Sequence, residues 1–121
     1  MTAQRFEVER RTFDVNSDGH VDNTVILGYW NEARMLVFSQ VQDLRAPQWQ
    51  TAIVRHEIEY RHEIFWSERP VTVEIWAVGI GTTSFTMAGR IVDEHGTVCA
   101  VARTVTVCID PKSRTKTAVP Q

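Results

Sequence analysis

Arg11-Thr12-Phe13-Asp14-Val15-Asn16-Ser17-Asp18-Gly19-His20-Val21-Asp22-Asn23 is a polar, turn-rich stretch that leads straight into a strongly apolar run from Thr24 to Gln42. The apolar run has no proline and a helical length, and Asp22 or Asn23 in front of it is a natural N-cap. Its apolar residues cover nearly the whole circumference rather than one stripe, which predicts a buried helix. A buried helix must be wrapped by the rest of the chain. Its mouth is also where chemistry tends to sit, because a helix start offers free backbone N–H donors.

Working outward, residues 5–13 alternate apolar and charged for part of their length and read as a strand. Beyond the helix, residues 51–64 are strand-like, with Val54, Ile58 and Tyr60 at even spacing among charged neighbours. Residues 71–80, 82–93 and 97–109 are three more long runs, separated by turns at Gly81 and at Glu94-His95-Gly96. Short connections favour antiparallel pairing. The expectation is an α+β domain in which a curved five-stranded antiparallel sheet wraps around one long central helix. Residues 1–121 form a single domain in this reading, with the core at about 6–110 and a polar tail, frayed or loosely docked, at 111–121.

The 121 residues suit one core. A net charge of −2, with 23% charged residues, gives no footprint for nucleic acid or an anionic membrane. The N-terminus lacks the apolar segment of a secretory signal, and no apolar run approaches the ~20 residues of a membrane span. Cys99 and Cys108 fall nine positions apart in one strand-like run, facing opposite sides, so free thiols in a reducing cytoplasm are expected.

With that layout, the opening loop resembles the signature of the 4-hydroxybenzoyl-CoA thioesterase-like branch of the hotdog superfamily, in its common bacterial acyl-CoA thioesterase form. The ungapped matches are Arg11, Asp14, Gly19, His20, Val21, Asn23, Tyr29, Glu32, Ala33 and Arg34. Val54 to Tyr60, Pro70 to Trp76, Gly81 to Thr86 and Val105 to Asp110 are similar to later strands of that family, so the likeness covers roughly residues 6–112. The resemblance implies a hotdog fold, a cytoplasmic acyl-CoA thioester hydrolase, assembly as a homodimer or homotetramer with the site between subunits, and no cofactor beyond the CoA of the substrate. Four positions depart from the pattern. The usual catalytic carboxylate is Asn16, the first Asn of the His-Val-Asn-Asn run is Asp22, the tyrosine after it is Ile26, and a proline after the second-strand tyrosine is Glu63.

Thioester hydrolysis needs a polarised carbonyl and an activated water or carboxylate. The resemblance places the polarising donor at the backbone N–H of Asn23, where any residue type serves. Asn16 can hold a water but cannot take its proton at ordinary pH. Asp22 and Asp18 lie close in sequence, and Asn16 with Asp22 looks like an exchange of amide and carboxylate; Asp22 equally suits a helix cap. His20 is either a base near neutral pH or a loop-holding residue, as it commonly is in the family. Tyr60 suits an acyl pocket or a core. Ser84 suits the pantetheine arm or a plain exposed strand start. Glu32 and Arg34 do not face each other on a helix, so each is expected to pair with a strand or a second subunit. Arg55, Arg61, Lys112, Arg114 and Lys116 are all candidates for CoA phosphates, with none singled out.

Three rivals remain to be weighed. Asp14-Val15-Asn16-Ser17-Asp18-Gly19 also reads as the start of a calcium loop, but position 12 is Val25 and no helix precedes it. A hotdog dehydratase would show an Asp-His pairing in a Gly-Asp-x-Asn-Pro setting, which is absent. A hotdog protein that binds an acyl ligand without turning it over is the third. No metal site is expected, because His20, His56, His62 and His95 show no ligand spacing.

Overall fold

The computed structural model describes residues 3–45 and 49–119; the last two residues of the expected tail lie outside them. Among the described residues the strands are β1 (Gln4–Val8), β2 (Gln50–Tyr60), β3 (Val71–Ile80), β4 (Ser84–Val92) and β5 (Val98–Ile109), with one α-helix, α1 (Asn23–Ser39), between β1 and β2. All pairings are antiparallel and the sheet runs β1-β3-β4-β5-β2. This is the expected sheet around one helix.

One register explains the core. Phe6, Val73, Ile91, Ala100 and Tyr60 stand opposite one another across the five strands, as do Ile75, Gly89, Ala102 and Ile58. Directly opposed residues share a face, and this face receives α1. Trp30 is fully buried against it and donates from Nε1 to Thr104 Oγ1 at 2.8 Å. Gly89 lies under the indole: a Cβ there would stand 2.5 Å from the ring and 2.1 Å from the Glu74 carbonyl oxygen. The helix reaches the sheet closely because that position carries no side chain.

The helix differs from expectation. Its buried residues, Ile26, Tyr29, Trp30, Ala33, Arg34, Val37 and Phe38, form a single stripe. Met35 and Leu36 are exposed, and Val25 and Leu27 are only partly covered. The sheet lies on one side of α1, so the apolar residues on the other side face outward in a single chain. Arg34 is buried without a carboxylate partner among the described residues. It donates to Asn31 Oδ1 and Thr106 Oγ1 at 3.0 and 3.2 Å, and its guanidinium lies 5.6 Å from the Phe38 ring centre. Glu32 instead meets Arg11 at the surface, 3.3 Å away.

Three element ends also shift. β1 stops at Val8, and Thr12–Asp14 forms a 3-10 turn in place of the expected strand end. Arg10 is buried there, tied to Glu94 at 2.8 Å and Phe65 O at 3.0 Å. β2 ends at Tyr60 because Arg61 N and His62 N both donate to Cys99 O, at 2.8 and 3.1 Å, which bends the chain off the ladder. The tail folds back on β5: Thr117 N donates to Cys108 O and Val119 N to Thr82 O, at 3.0 and 2.9 Å. The Asp110 carboxylate starts that turn by accepting from Lys112 N and Ser113 N. Both cysteines are buried and free. No helix among the described residues is long and apolar enough to cross a membrane.

A buried polar chain runs beside Trp30. Thr104 Oγ1 accepts from the indole and stands 2.8 Å from His56 Nδ1, so one hydroxyl links the buried indole to the imidazole. Burial, and then the Arg34 charge, hold His56 below the usual histidine range. A depressed histidine contributes stability that is full above the unfolded value of about 6.5 and is lost as pH falls through the folded one. Tm is therefore expected to fall between pH 7 and pH 5, and His56→Gln to flatten that slope; thermal melts across the range check it.

Candidate active site

The loop before α1 is held by its own backbone and short polar side chains. Asn16 N donates to His20 O at 2.9 Å, Gly19 N to Asn16 O at 3.1 Å and Asp22 N to Asp14 O at 3.1 Å. Gly19 takes φ +86°, a left-handed conformation in which a side chain would be strained. Val21 N reaches Ile64 O at 2.6 Å and His20 bridges to Phe65, so the loop is pinned to the segment that follows β2. Asp14 Oδ2 accepts from Tyr29 Oη at 2.6 Å and Arg11 N at 2.9 Å, fastening the loop to the helix. Burial first, then Asp14, push the Tyr29 phenol up, and it remains a donor.

Asp22 is the N-cap. Its Oδ2 accepts from Thr24 N at 3.0 Å and from the Thr24 hydroxyl. The Thr24 hydroxyl, then its N–H, hold the carboxylate below its ordinary value. Val25 and Ile26 N–H both donate to Asp22 O, at 3.0 and 3.1 Å. Of the donors in this first turn, the Asn23 N–H alone has no protein acceptor among the described residues.

A cleft of about 310 Å³ opens against this helix start, over Val21 and Ile26, with Asn23, His20, Tyr60, Arg61, His62 and Glu63 around it. Tyr60 Oη donates to Asn23 O at 3.0 Å and fixes the end of β2 to the helix. Burial, then Asp22, push its phenol up, so it too stays a donor. The His20 ring is half-buried, edge-on to Phe65, with Nε2 3.8 Å from the exposed Asp18 carboxylate. Asn16 Oδ1 accepts from Asp18 N at 2.9 Å, which leaves its NH₂ as the free end. A larger hollow, about 450 Å³, lies on the outer face of the sheet beside Trp76, among the charged side chains of Glu57, Glu59, Arg90 and Arg103.

Of the sequence-derived candidates, the fold brings His20, Asn23 and Tyr60 to one cleft. Asn16 and Asp18 stay together on the loop beside it, and Asp22 lies at the cap. Ser84 is not there: it pairs with Val107 while Tyr60 pairs with Ala100, so roughly 20 Å of β5 separates them. Arg61, His62 and Glu63 were not singled out together from the sequence, because the bend after Tyr60 that turns them toward the cleft depends on Cys99 O. The one available signal was Glu63, which breaks the family pattern.

The profile of the thioesterase-like superfamily matches residues 11–121. A candidate thioesterase from Pseudomonas aeruginosa superposes with a TM-score of 0.88 at 24% identity, over 96% of this chain and 91% of that one. A thioesterase from Thermus thermophilus, complexed with coenzyme A and zinc, does so with a TM-score of 0.83 at 26% identity, over 97% and 85%. A 1,4-dihydroxy-2-naphthoyl-CoA thioesterase from Synechocystis gives 0.85 at 20% identity, over 99% and 91%. A search of curated proteins finds no match.

Proposed function

This chain belongs to the thioesterase-like superfamily, and on that premise we propose that it hydrolyses a fatty-acyl- or aryl-CoA thioester to the free acid and CoA. The observation that carries the reading is the Asn23 N–H, at a helix start and without a protein acceptor among the described residues, on a residue that lines the cleft. There it donates to the thioester carbonyl oxygen and stabilises the oxyanion, an effect worth about 3–4 kcal/mol in well-studied cases. The CoA complex of the Thermus relative supports the ligand class.

Asn16 directs its free NH₂ at the oxygen of the attacking water. His20 takes the water proton, and Asp18, 3.8 Å from the ring, steadies the imidazolium. The tetrahedral intermediate then expels the CoA thiolate, which leaves as the thiol with that proton. Asp22 is occupied as the cap and does not serve as base. CoA arrives as part of the substrate, and the reaction uses no other cofactor. The outward apolar side of α1 and the remoteness of Ser84 from Tyr60 support a homodimer or homotetramer in which the partner completes the acyl and pantetheine sites. The setting is a cytoplasmic one.

The test is free-thiol release from a panel of acyl- and aryl-CoAs. His20→Gln is expected to lower kcat by about 10²-fold or more. Asp22→Asn should leave release within a few-fold of wild type, because asparagine caps a helix as well as aspartate. Wild-type protein that binds acyl-CoA and releases no thiol would replace this reading with the acyl-ligand binder, which the amide at position 16 favours.

A further inference from the structure

Three side chains from distant parts of the sequence converge beneath the β4–β5 turn. His62 follows β2, Asp93 follows β4 and Cys99 lies near the start of β5; one ligand atom from each lies within 4.8 Å of the others. The backbone enforces the meeting. His62 N donates to Cys99 O at 3.1 Å, and Asp93 Oδ1 is held by the N–H groups of His95 and Thr97, each at 2.9 Å.

We propose that His62, Asp93 and Cys99 bind a zinc ion. The donor set is a thiolate, an imidazole and a carboxylate, which suits a borderline-soft ion and not magnesium or calcium. His62 Nδ1 lies 2.8 Å from Glu63 O. A carbonyl only accepts, so Nδ1 carries the ring hydrogen and Nε2 keeps the lone pair for the ion. A hydrogen bond of this kind on the far nitrogen is how metal-binding histidines are oriented. Burial is graded from the fully buried Cys99 through Asp93 to the exposed His62, so the ion has a route in from solvent. A cleft of about 460 Å³, walled by His62, Phe65, Trp66, Asp93 and His95, adjoins the cluster and supplies water as the fourth ligand.

On binding, the Cys99 thiol gives its proton to solvent and loses a long hydrogen bond to Thr97 O, 3.5 Å; nothing is oxidised or reduced. The ion takes no part in thioester hydrolysis. It joins the segment after β2, which also walls the Tyr60 cleft, to the β4–β5 turn.

Chelator-treated protein titrated with zinc in a calorimeter, and with cobalt by absorbance, tests this. One ion per chain, about one proton released, and a thiolate-to-cobalt charge-transfer band are expected. Saturating zinc at a hundredfold excess over Kd should raise Tm by roughly 10 °C. Cys99→Ser should abolish the band, His62→Gln should weaken binding by at least about tenfold, and Cys108→Ser should bind as wild type. Absence of stoichiometric uptake by wild type overturns the site. So does undiminished uptake by His62→Gln, whose exposed side chain makes that variant decisive even where Cys99→Ser fails to fold.

Discussion

Asn16→Asp is expected to raise thiol release from acyl-CoA by about 10²-fold or more, within the range that a well-placed general base supplies. The substitution is nearly isosteric, and the loop already holds the side chain in place. Oδ1 would keep its bond from Asp18 N, now 2.9 Å, so the second carboxylate oxygen would occupy the position of the present NH₂. That exchanges a group that can only hold a water for one that can deprotonate it or attack directly. The bonds Asn16 N to His20 O and Gly19 N to Asn16 O use only main chain and survive the change. The measurement is kcat for both proteins on the same substrate panel, with Tm as the control for folding. An unchanged or lower rate in Asn16→Asp would show that the amide holding the water, with His20 as the base, is already the working arrangement and that a carboxylate at position 16 adds nothing.

Gly89→Ala should destabilise the fold by about 3 kcal/mol, near the upper end for overpacking, and lower Tm by roughly 10 °C or more. The methyl would meet the Trp30 ring at 2.5 Å and Glu74 O at 2.1 Å. The first clash is with a side chain that is fully buried and held through Nε1 by Thr104. The second is with backbone of the adjacent strand, which moves only by opening the β3–β4 ladder. Trp30→Phe relieves the first contact and not the second, so the double variant should recover little. Urea melts of the two single variants and the double variant check this. A Gly89→Ala loss below about 1 kcal/mol would mean that the helix can retreat from the sheet and that the β3–β4 backbone can yield, both at little cost.

The parts of the fold that were legible in the sequence are those governed by local periodicity and punctuation. β3 has the expected limits because Pro70 and Gly81 punctuate the run at either end, and α1 begins after Asp22 because a cap is a local device. The helix surface was misjudged for a physical reason: an apolar residue carries no mark of which partner covers it. Met35 and Leu36 look like Phe38 in the sequence, yet only Phe38 meets this chain's own sheet. The end of β2 depends on Cys99 O, far along the chain, and so was invisible to local reading. The site divides in the same way. The loop, Asn16 and the Asn23 donor stand in one contiguous motif. The grouping of Arg61, His62 and Glu63 at the cleft, and of His62, Asp93 and Cys99 beneath the turn, exists only once the strands pair.

The strand order has a further consequence, for the kinetics of folding. β3, β4 and β5 form a meander of neighbours, whereas β1 must find β3, with Phe6 opposite Val73, and β2 must find β5, with Tyr60 opposite Ala100. Closing those long loops costs entropy before any edge contact is gained, and such non-local pairing slows folding relative to helical bundles. In pulse-labelled hydrogen exchange during refolding, the amides of the meander should therefore gain protection before those of the two edge strands. The helix start, pinned between α1 and the end of β2 by the Tyr60–Asn23 hydrogen bond, would be among the last features to form.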